Sequence, residues 1–145
     1  MTDKSRLRQQ IRARRQSLNA NEQLSAAKGI ARQLKQLFCC RPPLDIALYW
    51  PNDGEISPWH YLETNRSIPH NIYLPVITRE LDLLFREYTP GTSLQKNRFG
   101  IPEPSIGKLH HPKTMDAILM PLVAFDKKGN RIGMGGGFYD RSLSI

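Results

Sequence analysis

From Gly129 to Arg141 the chain reads G-N-R-I-G-M-G-G-G-F-Y-D-R, a set of residue types suited to binding an anion. Glycine lacks a Cβ, so the N–H groups of Gly133, Met134, Gly135, Gly136 and Gly137 can approach a ligand closely and converge on one set of phosphate oxygens. Arg131 and Arg141 add positive charge on either side. Asp140 could hold a divalent cation such as Mg²⁺ against the same phosphates, because hard cations prefer carboxylate and water oxygens. Phe138 and Tyr139 offer flat faces for a ring. The pattern matches neither common glycine signature: no Lys-Ser or Lys-Thr follows, as a P-loop requires, and Phe138 stands where the dinucleotide fingerprint needs a final Gly. Taken alone, the cluster is explained equally well as a mobile surface turn.

The elements around this loop must position it. Ala117 to Phe125 is the most apolar run in the chain, and Pro121 within it implies that the strand ladder is interrupted near its carboxyl end, just before the glycine loop. Asp45 to Trp50 reads as a buried strand stopped by Pro51 and the turn residues Asn52-Asp53-Gly54. Glu55 then lies just beyond the carboxyl end of that strand, the edge at which open α/β sheets bind ligands. Its plainer reading is a charge ahead of the helix that starts near Pro58 and runs to Asn65. Asn71 to Ile77 reads as the next strand and Leu81 to Tyr88 as an antiparallel one after a turn at Thr78 to Glu80. Phe99 to Pro112, rich in Pro and Gly, is expected to be irregular, with Glu103 fixing the loop.

Two helices open the chain. Leu7, Ile11 and Leu18 recur at roughly helical spacing, with Lys4, Arg8, Arg12 and Arg15 forming a basic stripe about one turn apart. Asn19 with Glu22 three residues on predicts a capping box, and Leu24, Ala27, Ala31, Leu34 and Phe38 carry the second apolar face up to Pro42-Pro43. Formal net charge is +8, and its distribution is uneven. Residues 1–41 hold ten Lys or Arg against Asp3 and Glu22, while the remainder holds eleven of each sign. The excess is a nucleic-acid footprint, a solvated face or a clamp for a small polyanion.

At 145 residues the chain, 1–145, is expected to form a single domain with one core. No apolar stretch is long enough to cross a bilayer and none follows the first charges as in a secretory signal, so a cytoplasmic protein with no membrane partner is expected. Cys39 and Cys40 are adjacent and fit neither a disulfide framework nor a C-x-x-C motif, so they read as buried packing residues. His60, His70, His110 and His111 are not at ligand spacing, and no zinc site is expected.

Asp116 to Arg141, D-A-I-L-M-P-L-V-A-F-D-K-K-G-N-R-I-G-M-G-G-G-F-Y-D-R, resembles the signature of the 5-formyltetrahydrofolate cyclo-ligase family, also called methenyltetrahydrofolate synthetase. Further pieces agree in order: K-S-R-L-R from Lys4, Y-W-P-N-D-G-E-I from Tyr49, L-P-V-I from Leu74 and F-G-I-P-E-P from Phe99. The resemblance implies a three-layer α/β fold of the NagB/RpiA/CoA-transferase-like kind, with a mostly parallel sheet flanked by helices. It implies ATP-dependent cyclisation of 5-formyltetrahydrofolate to 5,10-methenyltetrahydrofolate, with ADP and phosphate released.

Carried over residue by residue, the resemblance assigns ATP binding to Lys4, Ser5, Arg6, Leu7 and Arg8, and to Arg131, Ile132 and Gly133 through Tyr139. Lys4, Arg8 and Arg131 would do the catalytic work of offsetting phosphate charge. Trp50 and Glu55 would hold the folate, flanked by Met134, Phe138 and Tyr139, and Asp140 would hold Mg²⁺. Arg12, Arg14 and Arg15 are left as solvated charges. Family members continue past Y-D-R and gain a second acidic metal ligand there, so the C-terminal part of the fold is expected to be missing from this chain. The expected partners are ATP and 5-formyltetrahydrofolate, with no nucleic acid, acting on a monomer. Two rivals stand: a non-catalytic folate or nucleotide binder, and a basic nucleic-acid-binding module whose affinity would fall steeply with salt. No aromatic residues interleave the basic stripe to stack bases, which weighs against the second.

Overall fold

A computed structural model describes residues 3–64 and 69–143. In chain order the elements are α1 (Asp3–Gln16), α2 (Ala20–Phe38), β1 (Asp45–Ala47), α3 (Trp59–Thr64), β2 (Asn71–Ile77), β3 (Leu83–Tyr88), β4 (Leu94–Lys96), β5 (Pro102–Pro104), a 3₁₀ turn (Pro112–Thr114), β6 (Ala117–Ile118), β7 (Ala124–Phe125), β8 (Arg131–Ile132) and α4 (Phe138–Leu143). They fall into two compact units that interleave along the sequence. One comprises Met1–Leu37, Pro51–Thr64 and Pro121–Gly137; the other comprises Phe38–Trp50, Asn65–Met120 and Phe138–Ile145.

The second unit is built on a four-stranded sheet in the order β3-β2-β1-β6. β1 runs parallel to both β2 and β6, with Ile46 opposite Ile72 and Ala117, and β2 runs antiparallel to β3. This is the expected α/β class with a mixed, mostly parallel sheet. β1 is short because Pro51 follows closely, yet Leu48 still donates to the Tyr73 carbonyl at 2.9 Å, and Ile46, Ala47 and Leu48 are fully buried. Pro75 lies inside β2 without breaking it. It pairs with Phe85, whose own N–H and C=O both bond to His110 instead, so the position opposite Pro75 asks for no donor. On one face, Ala47, Tyr73 and Phe85 form a buried cluster against which Met115, Ile118 and Tyr139 pack.

Pro121 interrupts the apolar run as expected, separating β6 from β7. Phe99 to Pro112 is more regular than expected, since it contains β5, which pairs with β4 just upstream. Glu103 fixes this region: its Oε1 accepts from the Ile77 N–H at 3.0 Å and the Asn97 amide at 2.7 Å.

In the first unit, the capping box at α2 forms as read. Asn19 N–H donates to Glu22 Oε2 at 2.8 Å and Glu22 N–H to Asn19 Oδ1 at 3.0 Å. Replacing Asn19 with alanine is expected to cost about 1 kcal/mol, read as a lower urea midpoint at unchanged slope. The apolar face of α2 is buried at Ala27, Ala31, Leu34 and Phe38, but Leu24 is exposed. α1 has no buried residue, Leu7 is exposed and Ile11 only half-buried, so the polar contacts of its arginines contribute to its placement.

The cysteine pair corrects the sequence reading. Cys39 and Cys40 are both exposed. α2 ends at Phe38, which takes the last buried position, and Cys40 turns the chain with a left-handed φ of 59°, as helix C-terminal caps commonly do. Among the described residues, no helix is long and apolar enough to cross a membrane.

Candidate functional site

The glycine loop leaves a two-stranded ribbon whose geometry is fixed locally. β7 pairs antiparallel with β8, Ala124 opposite Ile132 and Phe125 opposite Arg131. Their connection is closed by Asp126, whose carboxylate accepts from Asn130 Nδ2 at 2.7 Å, Lys128 N–H at 2.8 Å and Asn130 N–H at 2.9 Å. The Asn130 side chain and these amides hold the Asp126 carboxyl below its ordinary value. Gly133 follows directly. Gly135 and Gly137 have φ of +103° and +64°, and Gly136 between them does not share the positive sign. Residues with a side chain rarely adopt such positive φ, so glycine is required at 135 and 137. A Cβ added at Gly133 or Gly135 would meet nothing within 4 Å, so the loop is open. Met134 is 48 % exposed.

The opening helix reaches this loop. Arg8 Nε donates to the Gly133 carbonyl at 2.9 Å across 125 residues of sequence. Lys4, one turn earlier on the same face, is exposed, as is Arg6; Ser5 and Arg8 are half-buried. Arg131 and Ile132 are half-buried in β8. Within the first unit, Arg8 therefore joins the opening helix to the glycine loop.

Two arginines of the same helix are ion-paired rather than left as free solvated charges, which corrects the sequence reading. Arg12 forks onto Asp53, Nε to Oδ2 at 2.8 Å and a terminal nitrogen to Oδ1 at 3.0 Å. Arg15 donates to Asp53 Oδ2 at 2.6 Å and to the Leu122 carbonyl at 3.3 Å, with only 11 % of its side chain exposed. Gln16 Nε2 adds a further bond to Asp53. Only Arg14 of the three remains as read, exposed on the far face. The sequence offered no signal for this cluster beyond the helical spacing of the arginines, because Asp53 looked like an ordinary turn residue.

The Arg12 guanidinium, with help from Arg15 and Gln16, holds the Asp53 carboxyl well below the usual carboxylate range. A lowered carboxylate pKa contributes stability that is present above the unfolded value, about 3.9, and is lost as pH falls through the folded value. The unfolding free energy of the wild-type chain is therefore expected to decline from about pH 5 downward, and an Asp53→Asn chain to decline less steeply over the same range in urea titrations.

Glu55 sits two residues beyond Asp53. Its Oε2 accepts from Asn52 N–H at 3.0 Å, and its own N–H returns to the Asn52 carbonyl at 3.0 Å. Burial raises its pKa, opposed by the Asn52 amide and by Arg15, while Asp53 adds to the rise. It is half-buried and bonded back into its turn, where the plain reading had a charge at the start of α3.

The second unit holds Trp50, Phe138, Tyr139 and Asp140. Trp50 is half-buried just past the buried segment that ends at Tyr49. Tyr139 packs on the core cluster. Phe138 meets Phe99 edge-on at 5.7 Å between centroids, with Arg141 5.3 Å over the Phe138 ring and Arg98 4.9 Å over Phe99. Arg141 is also tied to the Leu81 carbonyl at 2.9 Å. Asp140 presents an exposed carboxylate in the first turn of α4. Among the described residues, no group of three His, Cys, Asp or Glu side chains could hold a metal by itself. One carboxylate suits an ion such as Mg²⁺, which keeps several waters and shares its remaining positions with phosphate oxygens, and does not suit an all-protein zinc site.

Comparison with known proteins agrees over the whole length. The 5-formyltetrahydrofolate cyclo-ligase family pattern matches residues 1–145. A 5-formyltetrahydrofolate cyclo-ligase of Haemophilus influenzae is 41 % identical over 145 residues, covering 97 % of this chain and 77 % of its own length. The Escherichia coli protein of that name is 34 % identical over 141 residues, covering 92 % and 75 %. The solution structure of the Aquifex aeolicus 5,10-methenyltetrahydrofolate synthetase superposes with a TM-score of 0.85 at 30 % identity, over 99 % of this chain and 73 % of that one. The fold of a Mycoplasma pneumoniae 5,10-methenyltetrahydrofolate synthetase is also shared, at a TM-score of 0.76 and 24 % identity, over 99 % of this chain and 78 % of that one. With the ribbon, the open glycine loop and the Arg8 contact in place, these matches show that the chain belongs to the 5-formyltetrahydrofolate cyclo-ligase family.

Proposed function

We propose that this chain converts 5-formyltetrahydrofolate to 5,10-methenyltetrahydrofolate at the expense of ATP. The observation that carries the reading is the Arg8 contact at Gly133, which places a cation from the first helix on the loop whose amides suit a triphosphate. The reaction is an amide activation. The formyl oxygen attacks the γ-phosphorus and ADP leaves, giving an imidate phosphate; N10 then attacks the formyl carbon, loses its proton, and phosphate departs with the former formyl oxygen.

In such a transfer the protein's task is positioning and charge neutralisation. Lys4, Arg8 and Arg131 would offset phosphate charge, while amides from Gly133 to Gly137 hold the oxygens. Charge-assisted bonds contribute roughly 1.5–3 kcal/mol each and micromolar binding needs about 8 kcal/mol, so several must act together. Asp140 would hold Mg²⁺, which supplies further charge neutralisation when bound. Trp50, Glu55, Met134, Phe138 and Tyr139 would form the folate side, the Glu55 carboxylate suiting paired N–H donors on a pterin ring. The nucleic-acid reading is weakened because Arg8, Arg12 and Arg15 of the basic stripe already have partners within their own unit.

A direct test is spectrophotometric detection of methenyl product from 5-formyltetrahydrofolate with and without Mg-ATP, beside the Haemophilus influenzae relative as a control. ATP-dependent product is expected. ATP binding without product would instead favour the non-catalytic binder.

A further inference from the structure

We propose that Asp53, Arg12 and Arg15 are positioning residues that lock the turn carrying Glu55 onto the same face of α1 that holds Arg8 against the glycine loop. The inference rests on the reading of Glu55 as a folate-binding carboxylate. Arg8, Arg12 and Arg15 stand at i, i+4 and i+7, so they share one face of the helix. From that face Arg8 bonds to Gly133, Arg15 bonds to Leu122 ahead of the ribbon, and Arg12 and Arg15 together bond to Asp53. One rigid helix thus sets three loop segments at once.

The turn needs such support. Asp53 and Gly54 are consecutive left-handed residues, with φ of +52° and +75°, and a non-glycine residue in that region persists only where its surroundings hold it. Both Asp53 oxygens are engaged, in the forked geometry that guanidinium supplies and an ammonium does not. Gly54 is held from α2 by Gln23 Nε2, at 3.0 Å from its carbonyl, and a Cβ there would lie 3.5 Å from Arg15 Cγ and from the Arg15 carbonyl oxygen. Glu55 then closes on Asn52 in both directions. The carboxylate proposed to meet the substrate is therefore aimed by a turn that α1 and α2 fix.

The charges reach Glu55 as well. Arg15 and Asp53 act on it with opposite signs, the Asn52 amide favours its ionised form, and burial opposes ionisation. Geometry and charge can accordingly be separated by mutation.

The test is calorimetric titration of the full chain with 5-formyltetrahydrofolate, and separately with Mg-ATP, between about pH 4.5 and 8. The variants are Asp53→Asn, Arg15→Met, Arg15→Lys and Glu55→Gln. At the upper end of the range Asp53→Asn is expected to weaken folate binding about tenfold or more while Mg-ATP affinity stays within about twofold. The pH below which folate affinity falls should move down in Asp53→Asn and up in Arg15→Met, a pair of opposite shifts that a general loss of structure would not produce. Arg15→Lys should weaken folate binding and leave that pH in place. If Asp53→Asn lacks wild-type circular dichroism, Arg15→Lys and Arg15→Met carry the test. Wild-type affinity and pH profile in the Asp53 and Arg15 variants, with Glu55→Gln impaired, overturns the positioning role alone. Unchanged binding in Glu55→Gln, or no folate binding by the wild type, overturns the reading of Glu55 and the inference with it.

Discussion

Arg8→Ala is expected to lower ATP-dependent methenyl formation by about a hundredfold or more, while leaving the unfolding midpoint close to that of the wild type. The rate effect follows from its place: a guanidinium bonded through Nε to Gly133 presents its charge at the loop proposed to hold the triphosphate. Removing one donor that stabilises charge in a transition state costs about 10²–10³ in rate. The small stability effect follows from its surroundings, since α1 buries no residue and the bond is a single one at a half-buried site. Arg8→Lys should recover little, because an ammonium cannot both bond to the Gly133 carbonyl and extend a planar fork beyond it. Steady-state rates at varied Mg-ATP check this. Wild-type kinetics in both variants would remove Arg8 from the proposed mechanism.

Phe85→Ala carries the largest expected cost to the fold, about 3–5 kcal/mol. Phe85 is 1 % exposed and the bulkiest of the fully buried side chains, packed with Ala47 and Tyr73. Its backbone also bridges to His110 through both its N–H and its C=O, at 2.9 and 2.7 Å. The loss would also loosen Tyr139, which packs against the same cluster. Urea unfolding monitored by Trp fluorescence measures the cost. A destabilisation under about 1 kcal/mol would mean that the surrounding side chains collapse into the space far better than buried aromatic sites usually allow.

What could be read from the chain was what depends on neighbours in sequence. The limits of β2 and the capping box follow from an apolar run bounded by polar residues and from a three-residue spacing, and Pro121 breaks its run because a ring replaces the N–H. The glycine loop was visible for the same reason: its residue types are its mechanism. What could not be read depends on residues far apart. Asp53 meets Arg12 and Arg15 across 41 and 38 positions, so neither the turn nor the stripe announces the pair. The strand β5 in a Pro- and Gly-rich stretch is set by its pairing with β4 and by the bond of its Glu103 to Ile77 rather than by propensity. Cys39 and Cys40 are exposed despite their apolar type, because the helix ends at Phe38 and its buried face ends with it.

The interleaving of the two units has a consequence for biosynthesis. The first helix emerges from the ribosome with its arginines, but the carbonyl that receives Arg8 is made 125 residues later, about 6–25 s at ordinary rates of elongation. Over that interval a strongly cationic segment is exposed to whatever polyanions surround the nascent chain. Arg12 and Arg15 can meet Asp53 after 41 and 38 residues, but the Arg8 contact must await synthesis of the ribbon.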